Sequence, residues 1–339
     1  MTKPKKTKLP ISQFDFFLPP KLISQQPTKP RDAARLLILD RKNNSLRHSY
    51  FFNLAQYLKA GDVLVLNNSR VIPARLIGHK NTGGKIEIFL LNKTGDYWHC
   101  LIGGAARIGE KIQLTKNIFG KLIKKSAAEN LVKFNCSDKK LFLLGQTPTP
   151  PYIKTKTKRR DYQTVYAQTP GSVAAPTAGL HFTKRLLNQL KNNGVQIEYL
   201  TLHVGLGTFQ PIKTNDILKH QIHSEWAELD AATAKRLNQA KRSGQRIIAV
   251  GTTTVRTLEA LSNSRGIIKP QNRWIDIFIY PGYKFKFVDA IITNFNLPKS
   301  TLIVLVCAFA DQDKIFKAYR QAIKKKYRFY SFGDAMLIK

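Results

Sequence analysis

At 339 residues the chain is long enough for two domains of roughly 150 residues each, and a hydrophobic share of 43% excludes general disorder. Fifty-six Lys and Arg against twenty-one Asp and Glu give a net charge of +35, beyond what solubility asks and suited to a polyanion such as RNA. Cys100, Cys136 and Cys307 lie far apart with no C-x-x-C pair, which excludes a disulfide framework and a zinc knuckle and points to a reducing cytosol.

Met1 to Pro10 is basic but is followed by no apolar run, so it reads as a solvated arm and not as a signal peptide. Arg35–Asp40 and Asp62–Leu66 read as strands. From Ser69 to about Pro151 the pattern is almost wholly short strands: Arg75–His79, Lys85–Leu91, Trp98–Ile102, Lys111–Leu114, Phe119–Lys124 and Leu131–Phe134. Turn signals such as Thr82-Gly83-Gly84 separate them, and no long helical pattern intervenes. This predicts a small antiparallel barrel or sandwich. Thr147-Pro148-Thr149-Pro150-Pro151 then forms a stiff boundary, because proline fixes φ and biases its neighbour toward extended backbone.

Beyond Pro151 helices and strands alternate. Thr183 can cap a helix that carries Leu186, Leu187 and Leu190 on one face and ends at Gly194. Val195–Val204 reads as a strand, a helix capped by Asp230 runs to before Gly244, and Arg246–Val250 is β-rich. Thr253–Ser262 is helical, Ile275–Tyr280 a strand, and Asp313–Tyr327 a helix with Ile315, Phe316, Tyr319, Ala322 and Ile323 on one face. The ten apolar residues Thr301–Ala310 are too few to span a bilayer and form a buried helix or strand. The expected protein is therefore soluble and cytoplasmic, with no membrane partner. Its expected fold is α/β: a helix-covered, largely parallel sheet from residues 1–68 and 152–339, with an all-β barrel of residues 69–151 inserted.

Four segments carry candidate chemistry. Pro176 to Thr183 ends at a helix start, where small residues admit a ligand, free N–H groups favour an anion, and His181 is placed to titrate near neutrality. His203-Val204-Gly205-Leu206-Gly207 closes a strand, where α/β sheets hold ligands, although the third glycine of a dinucleotide fingerprint is missing. His220, His223 and Glu225 have metal-like spacing but lack further ligands, so no metal is expected. Gly251 to Arg256 joins a strand to a helix without the spacing of a P-loop, and Arg256 can hold a carboxylate or phosphate. Two basic clusters stand out. In Lys154 to Arg160 five of seven residues are cationic, and Lys324 to Arg328 is interleaved with Tyr327, Phe329, Tyr330 and Phe332. Each reads either as an RNA contact or as ordinary structure, a solvated face for the charges and a core strand for the aromatics.

Taken in order, longer blocks resemble one family. They include Arg70-Val71-Ile72-Pro73-Ala74-Arg75-Leu76, Pro150-Pro151-Tyr152-Ile153, Asp161 to Ala167, Gly171 to Thr183 and Leu202 to Phe209. His223-Ser224-Glu225, Val250 to Arg256, Leu297 to Thr301 and Gly333-Asp334-Ala335-Met336 complete the series. The family is S-adenosylmethionine:tRNA ribosyltransferase-isomerase, and the likeness runs from about Phe14 to Ile338. It implies an enzyme that moves the ribosyl part of S-adenosylmethionine, its co-substrate, onto 7-aminomethyl-7-deazaguanine at the tRNA wobble position. The sugar is rearranged to give epoxyqueuosine-tRNA, with adenine and methionine released. It also implies an α/β domain with an inserted barrel.

That chemistry needs a base at the ribose C5′, which the sulfonium acidifies, a proton for the leaving adenine, and an uncharged substrate amine. Acid–base candidates are His181, His203, His223, Glu225 and Asp334, with His181, His203 and Asp334 taken as the catalytic set. Arg70, Thr177, Gly179, Gly205, Gly207, His223, Glu225, Thr253 and Arg256 form the expected substrate-binding set, with Arg256 on the methionine carboxylate. Lys154, Lys156, Lys158, Arg159 and Arg160 are the expected RNA contacts. The expected assembly is a monomer or weak homo-oligomer. One position departs from the family: Asn296 stands where His is usual, and an amide cannot titrate. Either that His is not the essential base or this enzyme is altered; the intact surroundings favour the first. A methyl transfer to RNA from S-adenosylmethionine, or RNA binding without catalysis, are the competing readings, and release of adenine separates all three.

Overall fold

A computed structural model describes residues 8–126, 129–155, 157–205 and 211–339. The chain divides into two compact units. The larger holds Met1–Ser69, Pro151–Thr169 and Ala175–Lys339, and the smaller Arg70–Pro150 and Pro170–Ala174.

The larger unit is built on a nine-stranded sheet of order β15-β13-β12-β3-β14-β16-β17-β1-β2. At its centre β12 (Gln196–Leu202), β3 (Val63–Asn67), β14 (Ile247–Val250) and β16 (Ala290–Asn294) are parallel neighbours. Toward one margin β17 (Ala335–Ile338) is antiparallel to β16, β1 (Arg35–Asp40) is parallel to β17, and β2 (Ser45–Tyr50) is antiparallel to β1. At the other margin β13 (Glu225–Leu229) and β15 (Gln271–Ile275) continue antiparallel from β12.

The central strands are apolar without interruption because both faces are covered, and strand periodicity sends alternate residues to opposite cores. Val63, Val65, Leu37 and Leu39 join one buried cluster with residues of α3 (Ala231–Arg242), α4 (Thr252–Leu261), α5 (Thr301–Ala310) and α6 (Gln312–Lys324). Leu64, Leu66, Leu36 and Ile38 join the other, against α2 (Lys184–Asn192) and the 3-10 turn Phe51–Gln56. Each fully buried Leu or Ile contributes about 1.5–3 kcal/mol. The helix starts carry the expected caps: Thr183 Oγ1 accepts from Leu186 N at 3.1 Å, and Asp230 Oδ1 from Thr233 N at 2.8 Å. Thr301–Ala310 is a helix, its start capped by Ser300. The run Ile275–Tyr280 is not a strand. Its first residue ends β15, and the carbonyl of Ile277 accepts from Arg256 Nε at 3.2 Å.

In the smaller unit six strands close a barrel in the order β10-β7-β6-β5-β8-β9. They are β5 (Arg75–His79), β6 (Lys85–Thr94), β7 (Tyr97–Gly103), β8 (Lys111–Gln113), β9 (Phe119–Lys124) and β10 (Asn130–Phe134). Alternate residues such as Leu76, Ile86, Ile88, Leu90, Ile112, Leu122 and Val132 are buried. Closure pairs every strand on both sides and removes open edges. One short helix, α1 (Asp138–Leu144), follows the last strand. Two further strands, β4 (Ser69–Val71) and β11 (Thr169–Ser172), pair as a separate two-stranded sheet.

Candidate active site

Because β12, β3, β14 and β16 are parallel, their carboxyl ends share one edge of the sheet, the place where open α/β sheets bind ligands. His203 follows β12 there, Thr253 lies in the first turn of α4 just after β14, and Asn294 ends β16. The 3-10 turn Thr177–His181 brings His181 to the same edge, with its Nε2 3.1 Å from Asn294 Nδ2.

His181 is 5% exposed, its ring 5.0 Å from that of Phe51, and it also hydrogen-bonds the backbone of Arg31. Burial lowers its pKa to about 4, helped by the Arg328 and Arg31 charges and opposed by Asp334. His181 is therefore neutral at pH 7 and does not titrate near neutrality, because the buried site excludes the water that would solvate an imidazolium. Asp334 lies in a cage: Oδ1 accepts from Arg35 N and Arg328 Nη2, and Oδ2 from Arg35 Nε and Arg328 N, at 2.8–3.2 Å. Four donors fill its acceptor positions, so Asp334 anchors two arginines beside His181.

Gly179 does not open the backbone to a ligand. A Cβ there would stand 2.0 Å from the hydroxyl of Tyr166, whose own ring occupies that space. The start of α2 is closed to an anion as well, since Thr183 Oγ1 caps it while donating to Asp32 Oδ2 at 2.9 Å. The start of α4 is different: Gly251, at φ +88°, makes the turn from β14 and offers no side-chain cap.

A second group centres on Glu225, buried at the start of β13. One carboxylate oxygen accepts from Gly205 N at 2.9 Å and the other pairs with Arg256 Nη1. Arg256 is thus neutralised within the protein, and of its guanidinium only Nη2 lacks a partner among the described residues. The same is true of His203 Nδ1, Thr253 Oγ1, Asn294 Oδ1, Tyr166 Oη and Asn296 Nδ2, all buried. An unmet buried polar atom costs about 1–3 kcal/mol, which makes those beside His203, Thr253, Arg256 and Asn294 candidates to meet a ligand; Arg41 Nε, Asn44 Oδ1, Tyr162 Oη, Thr164 Oγ1 and Thr214 Oγ1 are likewise unmatched elsewhere in the larger unit. Burial lowers the pKa of His203, which favours its neutral form.

The remaining expected residues divide. Thr177 is half-buried on the His181 turn, whereas His223 is exposed. Arg70 is exposed on β4, in the smaller unit. Gly207 and Lys156 lie outside the described residues. Lys154, Lys158, Arg159 and Arg160 are exposed, and their loop adjoins the His181 turn through Arg31, whose Nη1 donates to Gln163 O at 2.6 Å and whose Nη2 donates to Arg160 O. In the second basic cluster Tyr327, Phe329, Tyr330 and Phe332 are buried, so the core-strand reading holds for the aromatics. Asn296 is buried too, its N–H donating to Tyr319 Oη at 2.8 Å. An open groove of about 630 Å³ along β12 and α3 is lined by none of the expected site residues, and its Glu198 is already paired with Arg236.

The sequence profile of a family described as queuosine biosynthesis protein matches residues 11–338. The S-adenosylmethionine:tRNA ribosyltransferase-isomerase of Fusobacterium nucleatum is 48% identical over 338 residues, covering 97% of this chain and 96% of that one. The protein of the same name from Carboxydothermus hydrogenoformans is 47% identical over 336 residues, covering 97% and 99%. The chain belongs to this family. It is a ribosyltransferase-isomerase of queuosine biosynthesis. The crystal structure of the S-adenosylmethionine tRNA ribosyltransferase of Thermotoga maritima, 37% identical, superposes with a TM-score of 0.57 and covers 96% of this chain and all of that one.

Among the described residues of this ribosyltransferase-isomerase, no three His, Cys, Asp or Glu side chains gather as a metal site. No helix among them is long and apolar enough to cross a membrane. Asn294 and the Glu225–Arg256 pairing escaped sequence reasoning. The available signal for Asn294 was its place in the block Thr293-Asn294-Phe295, which also resembles the family and assigns it no role.

Proposed function

We propose that this cytoplasmic enzyme binds S-adenosylmethionine at the carboxyl edge of its sheet and transfers the ribosyl group to 7-aminomethyl-7-deazaguanine at the wobble position of tRNA, giving epoxyqueuosine-tRNA, adenine and methionine. In this reading residues 1–68 and 152–339 are the catalytic domain and 69–151 the insertion. The supporting observation is the set of buried, unpartnered polar atoms around His181 and His203. Their chemistry suits a nucleoside bearing an amino acid: Asn294 Oδ1 accepts, Arg256 Nη2 donates, and the Thr253 hydroxyl does either.

His181 and His203 are the proton-transfer candidates. Burial lowers the pKa of both, which holds each in the neutral form that proton acceptance from the ribose C5′ or the substrate amine requires. Asp334 holds Arg35 and Arg328 in place beside His181. Arg256 reaches a carboxylate through Nη2 alone, as a hydrogen-bond donor more than as a countercharge. The exposed cations Lys154, Lys158, Arg159 and Arg160 suit the tRNA backbone. The test is turnover of purified enzyme with S-adenosylmethionine and tRNA carrying the aminomethyl base, read by mass spectrometry. Adenine and epoxyqueuosine should accumulate in step. Methylated RNA without adenine, or binding without turnover, would overturn the reading.

A further inference from the structure

Tyr50, Phe51 and Phe52 are consecutive, yet they face different surroundings. Phe51 is fully buried, with its ring 5.0 Å from that of His181. Tyr50 and Phe52 are 48% and 38% exposed and lie against each other, centroids 5.3 Å apart and planes within 4°. A single exposed aromatic needs no explanation. Two parallel, stacked rings held open to water are a different matter, because a stacked pair retains outer π-faces on which a further ring can lie.

Their position follows from the sheet register. Asn294 is paired with Ala335, Ala335 with Leu36, and Leu36 with Ser49. Tyr50 is the next residue, so the aromatic pair is three strands from Asn294, about 14 Å at the usual strand spacing. The neighbourhood is cationic. Arg47 is exposed on β2, and Lys324, Lys325 and Lys326 are exposed at the end of α6. That segment is tied to β1, since Arg35 Nη1 donates to the carbonyl of Lys325 at 2.8 Å and Nη2 to that of Lys326.

We infer that Tyr50 and Phe52 form a stacking platform for unpaired bases of the RNA substrate, set beside the catalytic edge and flanked by phosphate-binding Arg47 and Lys324–Lys326. Loop bases stack on aromatic rings while cations hold the backbone, and a +35 chain selects a polyanion over an apolar protein surface. Phe51 makes the platform continuous with the site, because a shift of this segment moves the ring that packs on His181. The inference rests on the tRNA-modifying reading above and deepens it.

The test is fluorescence anisotropy with tRNA carrying the aminomethyl base, and with a loop-free RNA duplex as a second probe. The Tyr50→Ala/Phe52→Ala double variant should lose affinity for the tRNA on the order of 10- to 100-fold and bind the duplex as the parent does. The slope of log Kd against log salt should stay unchanged, since no phosphate contact is removed, whereas Arg47→Ala should lower it by about one. Each single alanine variant should show part of the loss, and Tyr50→Phe should restore parental affinity. Equal tRNA affinity of parent and double variant, with the parent turning over S-adenosylmethionine, overturns the platform alone; this result would also be seen if the rings met a protein instead. A parent that neither binds tRNA nor releases adenine overturns the functional reading with it.

Discussion

The barrel and the sheet edge treat buried polar atoms in opposite ways. In the barrel unit, Trp98 Nε1 donates to Asp138 Oδ1 and Asn130 Nδ2 to the Cys100 carbonyl, and no described residue there buries a side-chain polar atom without a partner. At the carboxyl edge of the sheet, His203, Thr253, Arg256, Asn294 and Asn296 all do. Satisfying such atoms is what folding alone would favour. The difference teaches that the barrel is finished by its own side chains, while the sheet edge carries the unmet atoms to which the proposed function assigns a ligand.

The largest effect that tests this contrast is on turnover. His181→Ala should lower kcat by about 10²- to 10⁴-fold with tRNA affinity intact, and full activity would remove His181 from the chemistry. Glu225→Ala leaves Arg256 charged and buried with its ion pair gone. Urea unfolding should register about 3–5 kcal/mol of lost stability, and a loss below 1 kcal/mol would show that the pair is not a linchpin. Ile88→Ala in the barrel should cost about 2–5 kcal/mol while leaving kcat per folded molecule unchanged, the reverse of the His181 result.

Acid unfolding sharpens the comparison. His181 titrates near 4 in the fold against 6.5 when unfolded, so the unfolded chain takes up the proton first. Its contribution is complete above about pH 6.5 and is lost as the pH falls toward 4. Between pH 7 and pH 4 the parent should lose about 3 kcal/mol more than His181→Gln, and parallel curves would refute the burial argument. The smallest effect is the most diagnostic. Thr253→Val removes an unmet hydroxyl and should hold or raise stability by about 1 kcal/mol while raising KM for S-adenosylmethionine. Asn130→Ala, in the barrel, should instead lose about 1 kcal/mol with KM unchanged.

Much of the fold was legible in the pattern of residues. The six barrel strands showed their period of two and their turn residues, the helices from Lys184 and Ala231 showed their caps, and those from Lys184 and Gln312 their apolar faces. The strands β16 and β17 were not legible, because three or four apolar residues in a strand of four or five carry no readable period. Thr301–Ala310 stayed ambiguous for the same reason: it is buried nearly all round, so no polar face betrays the helix. In the site, the glycine- and threonine-rich turns at strand ends marked the right edge of the sheet. The meaning of individual residues did not follow, since Gly179 accommodates Tyr166 and not a ligand.

By itself, then, the order of residues determined what local physics can decide: periodicity, caps, turns, charge, and through its ordered blocks the family. Only the tertiary structure decided which side chains meet. Glu225 and Arg256 are 31 residues apart, His181 and Asn294 are 113 apart, and Asp334 closes on Arg35 across 299. Burial and hydrogen-bond partners are properties of such long-range meetings, and they set whether His181 is charged, whether Arg256 is free, and which polar atoms remain to hold a substrate.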